Sequence, residues 1–333
     1  MIDRPMDLPR LQSLVHQQLA SRAAELGLDA ARLRVEYVLN WGGFVNRSFQ
    51  VTDGRARLHL KLAHDREILD ALRRFWGFRE MMSDRYHAPG ALAWIDVPGS
   101  GYAGVLSRWI DGAPPEALDE RLAAEVVRTM DRLHGDHELA AHLPAVQATC
   151  ADVYRGTYHA RFIADLEFVT EERPPFVPPA LVEWMRGEAL ALEAAVAAAP
   201  AFAEPADAPT HSDLWLNNLL VTPRGEWYVL DWDDLALGDP AMDWCMLFGP
   251  ARGDLRTAAD RALPPAVTAD AGVRERLRLY ARASLLDWII DPLADWIDAT
   301  ESPEHLAEVR PEKERIHRAA LDAYRARYPT RSE

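Results

Sequence analysis

Over the first 110 residues short apolar runs alternate with turn signals, a pattern that predicts a small β-sheet with a few helices. Leu8, Leu11, Val15 and Leu19 recur near helical spacing within residues 8–27. A strand-like run from Leu33 to Leu39 leads into WGGFVNRSFQV and then Thr52-Asp53-Gly54. Asp-Gly between two alternating segments predicts a hairpin. On the returning strand Leu58, Leu60 and Leu62 fall on one side, with Arg57, His59 and Lys61 on the other. Residues 66–83 read as a helix, and Ala93 to Val97 and Val105 to Ile110 as two further strands.

After Asp111-Gly112 the spacing becomes helical. Leu122, Val126, Met130 and Leu133 line one stripe of residues 119–134, and residues 181–199, 272–298 and 311–327 are also helical. One hairpin interrupts them, Asn218–Val221 with Trp227–Asp231, turned at Pro223-Arg224-Gly225. The expected fold is α+β: a small sheet lobe over residues 1–111 and a larger, mainly helical lobe over residues 112–333. With 333 residues, 49% of them hydrophobic, the chain can fill two such lobes.

Charge is spread unevenly. Residues 1–110 carry 15 Arg or Lys against 12 Asp or Glu, a balance of +3; residues 111–333 carry 22 against 40, a balance of −18. An acidic body argues against nucleic acid as partner, because phosphate binding relies on clustered cations. It suits a cationic ligand or simple solubility. No stretch approaches the roughly 20 apolar residues of a membrane helix, MIDRPMDLPR has no apolar signal core, and Cys150 and Cys245 are the only cysteines. A cytoplasmic protein without a disulfide framework is expected. Of 37 basic residues only Lys61 and Lys313 are lysines, and Lys61 stands inside an apolar strand.

The chemistry concentrates in HSDLWLNN, residues 211–218, which gives His211-x-Asp213-x-x-x-x-Asn218 just before a strand. Phosphoryl transfer needs a carboxylate to orient the attacking hydroxyl and oxygen ligands for a metal ion. The step from Asp213 to Asn218 matches a protein-kinase catalytic loop. Asp231, eighteen residues beyond Asp213 at the end of an apolar strand, can coordinate Mg²⁺ bridging nucleotide phosphates. Two strings are set aside. Gly99-Ser100-Gly101-Tyr102-Ala103-Gly104 has dinucleotide spacing but opens a strand rather than a helix. His134, His137 and His142 lack a matching ligand pattern for a metal.

HSDLWLNNLLV followed by VLDWDDLALGDPAMDW resembles the phosphotransferase family of aminoglycoside phosphotransferases and choline kinases, from about residue 35 to 330, with Ser212 where that family has glycine. The resemblance implies a protein-kinase-like fold and transfer of the γ-phosphoryl group of ATP, with Mg²⁺, to a hydroxyl of a small molecule. Asp213 would be the base and Asn218 and Asp231 the magnesium ligands. Gly238, Asp239 and Pro240 would form the turn after them, Asp243 a brace, and His211 a structural tie. Trp41 to Phe49 resembles the nucleotide loop, with Gly42, Gly43, Asn46 and Ser48 near the phosphates and Lys61 reaching them. For the acidic partner of Lys61 on the next helix, Glu67 and Glu80 compete, and Glu80 is preferred. Leu106–Gly112 resembles the hinge that pairs with adenine, which brings in Ser107 and Trp109. On the acceptor side Asp287, Asp291, Asp295 and Asp298 form a helical stripe flanked by Trp288 and Trp296, suited to an ammonium-bearing acceptor. Pro292 is a candidate break in that stripe, and Asp234 is a further candidate on the acceptor pocket. The rival reading is a nucleotide-binding regulatory module without turnover, as in pseudokinases.

Overall fold

Alternation on five strands builds the amino-terminal sheet. β1 (Arg34–Val38), β2 (Arg47–Thr52), β3 (Arg57–Ala63), β4 (Ala91–Asp96) and β5 (Ala103–Arg108) pair antiparallel throughout, in the order β1-β2-β3-β5-β4. These details come from a computed structural model that describes residues 6–38, 46–144, 148–249, 263–298 and 303–329. The chain divides into two compact units, Met1–Glu116 with Asn218–Leu235, and Ala117–Asn217 with Ala236–Glu333. No described helix is long and apolar enough to cross a membrane.

In the first unit, Phe49, Val51, Leu58, Leu60, Leu62 and Leu106 bury one face of the sheet against Leu11, Val15 and Leu19 of helix α1 (Leu8–Ser21). Each such side chain contributes about 1.5–3 kcal/mol of burial. The helical pattern over residues 8–27 breaks at Arg22 and resumes as α2 (Ala23–Leu26), which ends at Gly27 in the left-handed conformation. Helix α3 (Arg66–Tyr86) starts where the Asp65 carboxylate caps the Glu67 and Ile68 amides, and it buries Ala71, Leu72, Phe75, Met82 and Tyr86. The Gly99–Gly104 string is a hairpin turn between β4 and β5, with Gly99 and Gly101 at positive φ.

The later hairpin, β7 (Leu219–Val221) with β8 (Trp227–Val229), groups with this unit for visible reasons. Ala113 and Val221 exchange backbone hydrogen bonds, and the Val229 amide donates to the His87 carbonyl at 3.0 Å. The His87 ring stacks on Trp227, centroids 3.9 Å apart.

The second unit is helical: α4 (Glu120–His134), α5 (His137–Ala140), α6 (Cys150–Tyr154), α7 (Ala160–Glu171), α8 (Pro179–Ala198), α9 (Pro240–Phe248), α10 (Pro265–Thr268), α11 (Ala271–Asp298) and α12 (Pro303–Arg327). A two-stranded ribbon, β6 (Ala208–Thr210) with β9 (Ala236–Gly238), precedes α9. Its aromatic core gathers Tyr154, Tyr158, Phe162, Phe202 and Tyr280. Helix α11 continues through Pro292, against the expected break. Ile289, Ile290 and Leu293 around it are fully buried. The Ile289 carbonyl, in the turn that proline disturbs, accepts a hydrogen bond from buried His317 Nδ1 at 2.7 Å.

Candidate functional site

The sheet face opposite the leucines is polar, and strand register sorts it into rungs. Ser48, Lys61 and Val105 stand opposite one another across β2, β3 and β5; Gln50, His59 and Ser107 form the next rung. Directly opposed residues share a face and lie within contact range, so this face carries an ammonium beside an imidazole, an amide and a hydroxyl. His59 is held neutral: burial and the neighbouring Lys61 charge push its pKa down to about 4. Its ring stands edge-on to Trp109 at 6.3 Å. The Ser107 hydroxyl donates to the His59 carbonyl at 3.4 Å. Trp109 spends its amide on the Arg57 carbonyl at 3.2 Å and receives the Arg57 guanidinium over its ring.

Lys61 reaches Asp231 and Asp233, both on the segment leaving β8. Burial opposes the ammonium charge, but the two carboxylates outweigh it and raise the Lys61 pKa above its ordinary value. One ammonium serves two acids. Burial and the Asp231 charge accordingly push Asp233 upward, against the pull of Lys61. Asn46 adds an Nδ2 hydrogen bond to Asp233 at 3.0 Å, while its Oδ1 is buried without a hydrogen-bond partner. Asp231 adopts φ 64°, a left-handed conformation that strains a residue bearing a Cβ. That turn aims its carboxylate back at β3 while the short helical turn Trp232–Asp234 begins. Asn218 is drawn to the same segment, because its carbonyl accepts the Leu230 amide at 2.7 Å.

In the helical unit the loop of His211, Ser212 and Asp213 follows β6. The Asp213 amide donates to His211 Nδ1 at 3.2 Å. The amides of His211 and Ser212 donate to the fully buried Asp243 carboxylate at 2.9 and 2.8 Å. Ser212 sits at φ 67°, again left-handed, and its hydroxyl meets Thr210 Oγ1 at 2.9 Å. Among the described residues only His87, Ser212 and Asp231 have positive φ without being glycine, and strain of this kind gathers at functional loops. At Gly238, the last residue of β9, a Cβ would overlap Thr210 Oγ1 and displace that side chain. Asp239 caps α9 through the Ala241 amide and pairs with buried Arg276.

Residues 36–286 match the pattern of APH, the phosphotransferase enzyme family. The chain belongs to that family. No curated protein gives a significant match, but solved structures do. The GDP and kanamycin complex of APH(2")-IIia is 14% identical, with a TM-score of 0.60 over 92% of this chain and 98% of that one. An ethanolamine kinase of Plasmodium vivax is 12% identical, with a TM-score of 0.58 over 94% and 88%. A thermostable mutant of aminoglycoside phosphotransferase APH(4)-Ia, in ternary complex with AMP-PNP and hygromycin B, is 18% identical, with a TM-score of 0.55 over 92% and 98%. At these identities the likeness shows the fold: a kinase-like α+β arrangement with an amino-terminal five-stranded sheet and a mostly helical remainder.

In this phosphotransferase Glu80 is not beside Lys61. Glu80 is exposed and bonds Arg79, while Lys61 is taken by Asp231 and Asp233. Glu80 points outward because the inner face of α3 is apolar, and Glu67 lies in the first turn of that helix; neither pairs with Lys61. Gly42 and Gly43 lie outside the described residues, and only the backbone of Asp298 is described. Asp234 is exposed on the turn after Asp231.

The acidic stripe on α11 is partly neutralised. Arg161 of α7 bonds Asp287 and approaches Asp291 at 3.8 Å, and Lys313 of α12 bonds Asp295. Trp296 packs against Phe176 and under Arg310, and so does not pair with Trp288. Trp288 instead meets Trp215, two residues after Asp213, edge-on at 6.3 Å. Two residues that sequence reasoning missed complete the group, Asp165 and Arg161. Burial and neighbouring acids push Asp291 up to about 7 and Asp165 up to about 6. His134 Nε2 bonds the Asp243 carboxylate at 2.9 Å, and among the described residues no group of three or more His, Cys, Asp or Glu could hold a metal ion.

Proposed function

We propose that this phosphotransferase moves the γ-phosphoryl group of ATP, with Mg²⁺, to a hydroxyl of a small molecule. The observation that carries the reading is the convergence of Lys61, Asp231, Asp233 and Asn46 on one edge of the sheet unit, from positions up to 187 residues apart. Asn218, Asp231 and Asp233 supply the oxygen donors that a hard cation prefers, and one or two carboxylates suffice for Mg²⁺ when phosphates complete its shell. The orphaned Asn46 Oδ1 is a further oxygen beside them. Bound there, Mg²⁺ would neutralise phosphate charge. Lys61, loosened from its two acids, turns to the α- and β-phosphates, and the Gln50–His59–Ser107 rung underlies the nucleoside. Asp213, five residues before Asn218 in the chain, accepts the hydrogen bond of the acceptor hydroxyl and then its proton.

The acceptor is an amine-bearing alcohol or sugar. Asp291 and Asp165 supply charge, and Trp288 with Trp215 supplies aromatic faces beside the loop of Asp213. The nucleotide and metal halves are tested by thermal shift. Mg²⁺ should add to the stabilisation given by ATP, Asp231→Asn should abolish that addition, and Asp233→Asn should reduce it. Lys61→Ala should weaken ATP binding with or without the metal. Full magnesium dependence in Asp231→Asn would remove that residue from the metal site.

A further inference from the structure

We infer that Arg161 and Lys313 set the charge of the acceptor site so that it takes a monoamine alcohol rather than a polyamine; the inference rests on the reading of the α11 acids as acceptor groups. Helix α7 places Arg161 and Asp165 one turn apart, and α11 places Asp287, Asp291 and Asp295 at successive turns, so each set shares one helix face. Cations occupy the two ends of the stripe. Arg161 bonds the buried Asp287, and Lys313, one of only two lysines in the chain, bonds Asp295. Between them Asp291 meets the other Nη of the Arg161 guanidinium at 3.8 Å, and Asp165 feels Arg161 without bonding it. Four carboxylates thus face two cations, a balance of −2 that falls on the middle of the stripe. Burial and the neighbouring acids keep Asp291 and Asp165 short of full ionisation near neutral pH, so that middle carries less than two charges.

One ammonium satisfies what remains. It finds charge at Asp291 and Asp165 and an aromatic face at Trp288, which leads through Trp215 to the segment of Asp213. A second ammonium on the same molecule would lie along the stripe, where it meets Arg161 on one side and Lys313 on the other. Like charges set against each other suppress the wrong ligand. The group is built as a pocket and not as a closed strut between helices. Arg161 keeps 42% of its side chain exposed. Tyr158 and Ser284, one helical turn before Arg161 and Asp287, are fully buried and end in hydroxyls without a hydrogen-bond partner. Tyr158 feels the charges of both Asp287 and Arg161. Unpaired hydroxyls beneath a charged group are what a pocket for a polar ligand or ordered water leaves behind, since closed interiors pair such atoms.

The test uses the full chain with two probes, ethanolamine and diaminopropanol, which differ by one amine. Binding is measured by titration calorimetry and phosphorylation by kcat/KM. In wild type the diamine should stay within about threefold of the monoamine, because the second amine finds no free acid. Arg161→Gln frees Asp287, and the diamine should then gain about fivefold, the upper scale for one solvent-screened ion pair. Lys313→Gln should act likewise at the Asp295 end. Arg161→Gln combined with Asp287→Asn restores the balance and should return the ratio to that of wild type. Arg121→Gln, which removes the same charge from its exposed pair with Glu125 on α4, should leave the ratio unchanged. If Arg161→Gln does not fold, because Asp287 is left buried and unpaired, Lys313→Gln and the double variant carry the comparison. A wild-type diamine preference beyond about threefold overturns the inference. So does a ratio unmoved in the single variants, a double variant with a raised diamine preference, or the absence of amine binding. Should the amines bind in the expected pattern without receiving phosphate, the phosphotransfer reading fails and the charge match stands.

Discussion

Gly104→Ala is a sharp test of how Lys61 is placed. Gly104 lies on β5 between Leu62 of β3 and Ile95 of β4. A Cβ at this position would overlap the Lys61 carbonyl oxygen and stand 2.9 Å from its carbon and 3.0 Å from Leu62 Cα. All three are backbone atoms of a paired strand, so no flexible side chain can yield. Ordinary carbon contacts begin near ~3.5 Å, which requires β3 to move away from β5 by on the order of 1 Å. Losing two ladder hydrogen bonds at about 1 kcal/mol each, with about 1–3 kcal/mol of overpacking, gives a destabilisation of about 3–5 kcal/mol. Gly77 in α3 is the control, since an added Cβ there meets nothing within 4 Å. Gly77→Ala should stabilise by about 0.5–1 kcal/mol. Urea unfolding measures both, with equal slopes showing that stability alone has changed. ATP binding to the folded fraction of Gly104→Ala should also be weak, because the backbone of Lys61 moves. A Gly104→Ala protein within about 1 kcal/mol of wild type, binding ATP fully, would refute the β3–β5 register on which the site is built.

Two further outcomes follow from protonation. Three backbone amides, those of Ala56, Asp29 and Arg55, hold the Asp53 carboxylate ionised and its pKa down to about 2. A depressed folded-state pKa gives stability that is present above the unfolded value near 4 and lost as pH falls towards 2. Chemical denaturation should therefore find Asp53→Asn less stable than wild type at pH 7, with the gap shrinking steadily as pH falls from about 4 to about 2; a gap as large at pH 2 as at pH 7 refutes the carboxylate account. Asp291 and Asp165, raised to about 7 and about 6 among Arg161, Asp287, Asp295 and Lys313, ionise as pH climbs through that range. For a cationic acceptor kcat/KM should rise between pH 5.5 and 8, and Asp291→Asn should flatten the rise; a flat wild-type profile removes the pair from acceptor binding.

The sheet was legible because alternation is a local property. Leu58, Leu60 and Leu62 against His59 and Lys61 can be read from spacing alone, and the five observed strands overlap those expected from it. The segments around Asp213 and Asp231 could be singled out as motifs, and the contacts of Asp231 with Lys61 lie within one of them. The partner of Lys61 was not, because Asp233 arrives through a left-handed turn at Asp231 that no period announces, while the helix expected to supply a glutamate turns an apolar face inward. The partners of the acidic stripe were hidden for a related reason. Spacing puts Asp287, Asp291 and Asp295 on one face of α11, but whether that face is charged depends on Arg161 and Lys313, which come from other helices. Pro292 looked like a break because the sequence does not display the His317 hydrogen bond to the Ile289 carbonyl.

The central claim is turnover that depends on Asp213. Wild type and Asp213→Asn are incubated with Mg·ATP and a panel of amino alcohols and amino sugars, and the acceptors are analysed by mass spectrometry. Wild type should add one phosphoryl group to at least one amine-bearing acceptor. Asp213→Asn should bind ATP as tightly while its rate falls at least about a hundredfold, the scale for losing a positioned base. ATP binding without any phosphorylated acceptor, or equal rates in the two proteins, would contradict the account.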